Sequence, residues 1–431
     1  MQRLLILEAG DAERSPVLPA SPALARALAE QGRWEVSCHE LPDTPRVVTR
    51  AVRLVRRLIG SLEPAASRPL VLLRGSIAEQ RRVMWALVTA GLKARVSVVV
   101  HASSAEIPFQ PGTSDLFRFA DLIVTESAFG ARAVNRVCAE RSAPLRRPPV
   151  IIPPLVDVAS DDRRPPSDGD ALRQRLWRLP PESLVIGCCL GDIGDRRGFL
   201  AIQIFRLFVQ GLYWACTRCA RVTVFAIDDA LVAISTSRCA SCLGTEGTRG
   251  RPHPEARLVL IDGVLASRGR SFVPNQWTFA AFRRACGLEG QVSIGGDEGH
   301  RLITSRELLL EALTAMDIHF LPHQLADVEP AVLAGCALGV PTITTRYGAA
   351  VDIIGPHARL VQPCALSYAS EGHLNALIDG GVAVQALCSL AESPADRAAL
   401  SLAAGDAMRR QRRAVAVGQW RAEIDRLSER L

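Results

Sequence analysis

The sequence contains a single lysine, Lys93, so nearly all of its 51 basic residues are arginines. Codon bias in a GC-rich coding sequence accounts for that before any selection for phosphate recognition. No secretory leader is expected either. After the short apolar run of MQRLLILEAG come Asp11, Glu13 and Arg14, where a leader needs a longer apolar region and a small-residue cleavage site. The reading is a cytoplasmic protein whose first strand starts at once. No stretch is clean enough to span a membrane: the most apolar, FLAIQIFRLFVQGLYWAC (199–216), is interrupted by Gln203, Arg206, Gln210 and Gly211. That falls short of the roughly 20 apolar residues a transmembrane helix needs, and a buried helix is expected instead. No repeat of fixed period is visible. With 22% charged residues, 32 Gly and 27 Pro, the chain is not collagen-like, coiled-coil or low-complexity.

What is present is a chain of 431 residues, 48% of them hydrophobic, enough to bury two cores rather than one. The formal net charge of +7 permits contact with a polyanion without demanding it. Nucleic acid is therefore a permitted partner, not a favoured one.

Eight of the 12 cysteines are scattered, and some, such as Cys188 and Cys189, sit in a strand-like apolar run as small core residues. The other four are organised. Cys216 and Cys219 form one C-x-x-C and Cys239 and Cys242 a second, nineteen residues apart, within the spacing of zinc ribbons. Each pair can hold one side of a tetrahedral Zn²⁺ through two thiolates. The insert RVTVFAIDDALVAISTSR reads as two β-rich runs about Asp228 and Asp229, a hairpin that folds the pairs together. Four thiolates leave no open coordination position, so the metal is expected to be structural. Unrelated buried cysteines and a redox dithiol are the alternatives. Arg218, Arg221, Arg238, Arg249 and Arg251 surround the cluster, as a solvated rim or as a docking surface for protein or nucleic acid.

The rest of the chain alternates strand-like and helix-like segments. RLLILEA, EVSCHEL, PLVLLRG and ARVSVVVHA are separated by amphipathic stretches such as RVVTRAVRLVRRLIGSL and QRRVMWALVTAGL. Continuous apolar strands alternating with helices imply a parallel sheet covered on both faces. A Pro-, Arg- and Asp-rich stretch, PPLVDVASDDRRPPSDGD (153–170), is the linker candidate. Beyond it, ESLVIGCCLGD, ARLVLIDG, QVSIGGD, MDIHFLPH and VPTITTRYG repeat the alternation. The fold class is α/β, with two doubly wound Rossmann-like domains facing a cleft.

The order of these segments resembles the nucleotide-sugar-dependent glycosyltransferases of the GT-B fold, specifically the large retaining family four. ADLIVTESAFGARAV (120–134) is similar to that family's strand, Ser and helix. VIIPPLVDV (150–158) resembles its interdomain strand, with Pro154 and Leu155 in place of Asn and Gly. LAGCALGVPTITTRYGAAVDII (333–354) and the closing AVGQWRAEIDRL, with Trp420, follow in family order, and the resemblance covers roughly residues 95–431. It implies an N-terminal acceptor-side domain (1–160), a nucleotide-side domain (161–410) carrying the zinc ribbon as an insertion (211–254), and a closing helix (411–431).

The resemblance also implies a site. Retaining transfer from a nucleotide sugar needs the diphosphate leaving group stabilised by cations and helix N-termini. In GDIGDRRG, Gly191 and Gly198 match the family's phosphate turn, Arg197 stands where its Lys sits, and Asp192 replaces its Arg. Arg196 can offset that inverted charge. The family's paired carboxylates fall on Ala326 and Ala334, counting back from Gly339 and Pro341. Asp327 and Glu329 lie close by and can supply a contact, although Glu329 before Pro330 also suits a plain helix start. His101, ending a strand, resembles the family's cleft histidine, and a satisfied structural histidine is the other reading. With His323, which ends MDIHFLPH, the expected set is His101 and Glu329 for catalysis and Gly191, Arg196, Arg197, His323 and Asp327 for the nucleotide sugar.

Two functions follow as expectations. One is sugar transfer with retention from a nucleotide diphosphate sugar to an acceptor that the sequence leaves open. The other is a catalytically degenerate scaffold that binds a protein or nucleic acid through the ribbon, favoured by the joint departures at Ala326, Ala334 and Asp192.

Overall fold

The computed structural model describes residues 2–9, 20–30, 34–41, 47–61, 68–104, 107–110, 112–155, 158, 169–190, 197–219, 221–224, 242, 245–262, 281–294, 305–322, 326–368, 374–410 and 413–429. The first sheet is built from β1 (Gln2–Ala9), β2 (Trp34–Leu41), β3 (Leu70–Gly75), β4 (Ser97–Ala102), β5 (Leu122–Thr125) and β6 (Val150–Ile151). Its order is β2-β1-β3-β4-β5-β6, all parallel. Between the strands run α1 (Ala20–Ala29), α2 (Val47–Gly60), α3 (Ile77–Thr89), α4 (Thr113–Phe119) and α5 (Ala128–Glu140).

Side chains on a strand alternate between faces, and β1 shows why all four positions from Leu4 to Leu7 are apolar. Leu5 and Leu7 pack with Val55, Leu87, Phe117 and Val134 from α2 to α5, whereas Leu4 and Ile6 pack with Leu24 of α1 and with Trp420. A parallel sheet buried on both faces needs such continuous runs.

A second parallel sheet is built from β7 (Leu184–Leu190), β11 (Ala256–Asp262), β12 (Val292–Ile294), β13 (Ile318–Leu321), β14 (Thr342–Thr345) and β15 (Arg359–Val361), in the order β12-β11-β7-β13-β14-β15. On its central strand, Ile186 and Cys188 face one core and Val185 and Cys189 the other, so Cys188 and Cys189 are core residues as their setting suggests. Helices α6 (Gly169–Trp177), α7 (Arg197–Val209), α8 (Arg306–Thr314), α9 (Pro330–Leu338) and α10 (Ala349–Ile353) flank it. A hairpin of β16 (Pro363–Tyr368) and β17 (Leu374–Ile378) and helices α11 (Gly380–Glu392) and α12 (Pro394–Arg410) follow.

The closing helix α13 (Arg413–Glu429) returns to the first sheet. Ala416, Trp420, Ile424 and Leu427 recur on one helical face and bury against Leu4 and Ile6. Trp34 donates its ring N–H to Asp425 at 3.0 Å, so the second strand is fastened to the last helix.

The apolar stretch 199–216 differs from the single helix expected of it. Helix α7 stops at Val209, Gly211 takes φ +65°, and β8 (Tyr213–Cys216) begins. The Leu212 amide donates to the Leu207 carbonyl at 2.9 Å and the Gly211 amide to Phe208 at 3.2 Å, a Schellman-type stop. A Cβ at residue 211 would lie 2.6 Å from the Gly250 carbonyl oxygen, so glycine is required there twice over. Of the linker 153–170, only residues 153–155, 158 and 169–170 are among those described.

Candidate active cleft and cysteine cluster

In open parallel sheets, binding crevices form where the loops leave the carboxyl ends of the strands. Three such ends in the first sheet carry polar residues: Arg74 near the end of β3, His101 on β4, and Glu126 one residue after β5. Gln80 of α3 fastens the edge, donating its amide to the Gly75 carbonyl at 2.8 Å and the His101 carbonyl at 2.9 Å. Behind His101 stands Trp420 of the closing helix, 6.1 Å away between ring centroids. His101 Nε2 lies 3.5 Å from a Glu126 carboxylate oxygen.

That pair is not an ion pair at neutral pH. Burial, reinforced by the Arg74 guanidinium, holds His101 well below the usual imidazole pKa. Burial and then the charge of Asp327 push the Glu126 carboxyl up to about 7, with Arg74 pulling the other way. Removing both groups from water outweighs their mutual attraction. The contact is instead a neutral imidazole facing a carboxyl poised to gain or lose a proton.

Asp327 belongs to the other sheet's unit, on the segment between β13 and α9. Further contacts hold the two units against each other there. Asp352 of α10 accepts a hydrogen bond from the Phe129 amide at 2.7 Å, in the first turn of α5, where a negative charge is favoured by the helix dipole. Ser127 caps the same helix by accepting from Gly130 at 3.1 Å. Tyr347 meets Phe129 edge-on at 6.0 Å, and Ala326 is buried in the first unit's core cluster.

Glu329 occupies the N-cap of α9, with Pro330 at its first position. Its side chain makes no capping hydrogen bond, and its position at the N-cap agrees with an acid favoured by the helix dipole. Its charge reaches Cys189 at the end of β7, whose thiol is raised by burial, by Cys188 and by Glu329. Ala326 and Ala334 are buried, at 1% and 2% exposure, so no room stands open for the family's carboxylates. The Ala326 carbonyl accepts from the Ala349 amide at 2.6 Å, an approach that Gly348 permits at φ +61°.

Among the expected residues, the structure gathers His101 and Asp327 around Glu126 and sets Glu329 beside Cys189. Gly191, Arg196 and His323 lie outside the described residues, as does Asp192, and Arg197 is seen as the first residue of α7. Glu126 and Arg74 were not singled out from the sequence. The signal for Glu126 was present: a lone acid between an apolar strand and a helix-capping serine, in LIVTES.

The cysteine cluster is a separate construction. β8 pairs with β9 (Val222–Val224) on one side and β10 (Gly247–Arg249) on the other, both antiparallel. Gly247 and Gly250 leave space for aromatic rings: a Cβ on them would fall 2.0 Å from Trp214 and 2.3 Å from Tyr213. Cys216 ends β8, and its amide donates to the Arg221 carbonyl at 3.0 Å, closing the turn that carries Cys219. The thiols of Cys216, Cys219 and Cys242 all lie within 4.8 Å of one another, with Cys216 and Cys242 at 3.6 Å. Thiolates about 2.3 Å from one tetrahedral zinc stand roughly 3.8 Å apart, whereas a disulfide needs about 2 Å. The three sulfurs fit a metal and not a bond. Cys239, and the hairpin turn at Asp228 and Asp229, lie outside the described residues. The module is anchored below by His253, stacked on Phe208 of α7 at 4.3 Å.

No protein-family model matches the chain, and no curated protein matches it in sequence. Solved structures do. The sucrose-phosphate synthase from Thermosynechococcus elongatus aligns over 100% of both chains with a TM-score of 0.63 and 13% identity. An alpha,alpha-trehalose-phosphate synthase (UDP-forming) from Burkholderia vietnamiensis aligns over 99% of both, with a TM-score of 0.60 and 12% identity. WaaG, a glycosyltransferase involved in lipopolysaccharide biosynthesis, aligns over 98% of this chain and 99% of its own, with a TM-score of 0.55 and 11% identity. At such identities the likeness establishes the fold, which is glycosyltransferase-like GT-B.

Proposed function

We propose that the chain transfers a sugar from a nucleoside diphosphate sugar to an acceptor, with retention, in the cleft between its two sheets. The observation that carries this reading is the convergence of Arg74, His101 and Glu126 on Asp327 of the opposite unit. A sugar held there meets a neutral imidazole and a carboxyl that titrates near 7, groups suited to hydrogen-bonding its hydroxyls as positive charge develops at the anomeric carbon. In this reading Arg197, the first residue of α7, meets the diphosphate together with the helix N-terminus, aided by Gly191, Arg196 and His323. Glu329 supplies the second carboxylate of the nucleotide side.

Cys216, Cys219 and Cys242, with Cys239 as fourth ligand, hold a structural zinc in this reading. Zinc so enclosed ties the two knuckles together and takes no part in transfer. The competing reading, a binding scaffold that has lost catalysis, is favoured by one specific observation. Ala326 and Ala334 sit in tight apolar packing where donor-binding carboxylates would be needed.

Slow donor hydrolysis separates the two. Zinc-loaded protein incubated with UDP-, GDP- and ADP-sugars should release one nucleoside diphosphate, and His101→Ala or Arg197→Ala should suppress that release at least about tenfold. Equal release by the parent and both variants points to a contaminant, and no release from any donor supports the scaffold.

A further inference from the structure

A charge asymmetry lies away from the cleft, on α2. That helix reads VVTRAVRLVRRLIG and contains no acidic residue. Val47, Ala51, Val55 and Ile59 are buried against the first sheet. Arg50, Arg53, Arg56 and Arg57 are exposed, and none pairs with a carboxylate among the described residues. Arg50, Arg53 and Arg57, at intervals of three and four, form one stripe along the helix.

The stripe borders a groove. Between α2 and α3 lies a concavity of about 700 Å³ whose lining includes Val48, Val52, Arg53, Arg56, Arg57 and Ala86. Its basic rim therefore surrounds an apolar floor. On α3, next to Ala86, Trp85 is 42% exposed, its ring held edge-on by Phe119 at 5.7 Å. The acid on the first turn of α3, Glu79, is engaged by Arg82 and does not neutralise the stripe.

We infer that this face docks on an acidic bilayer surface. Exposed arginines beside partly exposed valines and an amphipathic indole are the features by which a protein without a spanning helix holds to the headgroup and acyl boundary. Charge complementarity selects acidic headgroups. A nucleic acid would satisfy the arginines but leave the valine floor without a partner. The inference does not depend on the catalytic reading, since none of these residues reaches the cleft groups described above.

Vesicle flotation tests it, using phosphatidylcholine vesicles with and without about one third phosphatidylglycerol. The parent protein is expected on the acidic vesicles at low salt, not on the neutral ones, and to be released as salt screens the charges. The triple variant Arg53→Gln, Arg56→Gln, Arg57→Gln should bind about 100-fold more weakly, at roughly fivefold per arginine. Trp85→Ala should weaken binding as well, with a smaller salt dependence of the loss. Circular dichroism and urea unfolding identical to the parent establish that the variants are folded, and both changes are on the surface. The proposal is overturned if the parent ignores acidic vesicles, if the triple variant binds them as tightly as the parent, or if a short DNA duplex displaces the protein through the same arginines at lower phosphate concentration.

Discussion

Glu126 offers a quantitative test of the cleft. In an unfolded chain its carboxyl ionises at the ordinary 4.5, whereas in the folded protein burial and Asp327 move it to about 7. A raised carboxylate pKa is a cost to the folded state. Between those two values the unfolded chain has released a proton that the folded protein keeps, so stability falls as pH rises through the window and levels off above 7. The difference between 4.5 and about 7 corresponds to about 3 kcal/mol at high pH. Glu126→Gln has the same shape, can still hydrogen-bond toward His101 and cannot ionise. At pH 8 the variant should therefore be more stable than the parent by about 2–3 kcal/mol, and at pH 5 the two should agree within about 1 kcal/mol. Urea unfolding followed by circular dichroism at both pH values reads this directly. A stability difference that does not change with pH, or a variant less stable at pH 8, would refute the buried carboxyl described here.

Other expectations follow from the same geometry. Gly348→Ala should destabilise by at least about 2–4 kcal/mol, because φ +61° with ψ −138° is a glycine conformation and a Cβ would fall 2.0 Å from the Ala326 oxygen; thermal unfolding unchanged from the parent would count against the Ala326 turn. Ala334→Glu should cost about 3 kcal/mol or more, since the position is 2% exposed and lies in an apolar cluster; a tolerated variant with improved donor binding would contradict that enclosed packing. Zinc analysis should give about one ion per chain, and Cys219→Ser should lower that content and weaken the module's protection from proteolysis; metal-free protein of unchanged stability would remove the zinc reading.

Much of the architecture can be read from local pattern. Two buried parallel sheets show themselves as apolar runs, because a strand covered on both faces has no polar positions to break it, as β1 and β7 illustrate. The cysteine pairs announce themselves by spacing, and Cys216 and Cys219 share one local turn. The end of α7 is less legible: Gln203, Arg206 and Gln210 are compatible with helix, and only the left-handed turn at Gly211, packed on Gly250, ends it. The cleft was least visible. Arg74 and His101 lie on two different strands and Glu126 just beyond a third, and their shared fate depends on tertiary neighbours such as Asp327. No residue spacing encodes that encounter. Likewise, the sequence shows alanine at 326 and 334, but that both methyl groups are enclosed by packing emerges only in three dimensions.

The central claim is that the cleft still receives a nucleoside diphosphate sugar. A thermal-shift titration of zinc-loaded protein with UDP, GDP, ADP and their sugars tests it most directly. The account predicts a saturable rise with one nucleotide, equivalent to about 2.7 kcal/mol at a hundredfold excess over Kd, and its loss in Arg197→Ala. No shift with any of them at millimolar concentration would contradict it and leave the binding scaffold as the better description.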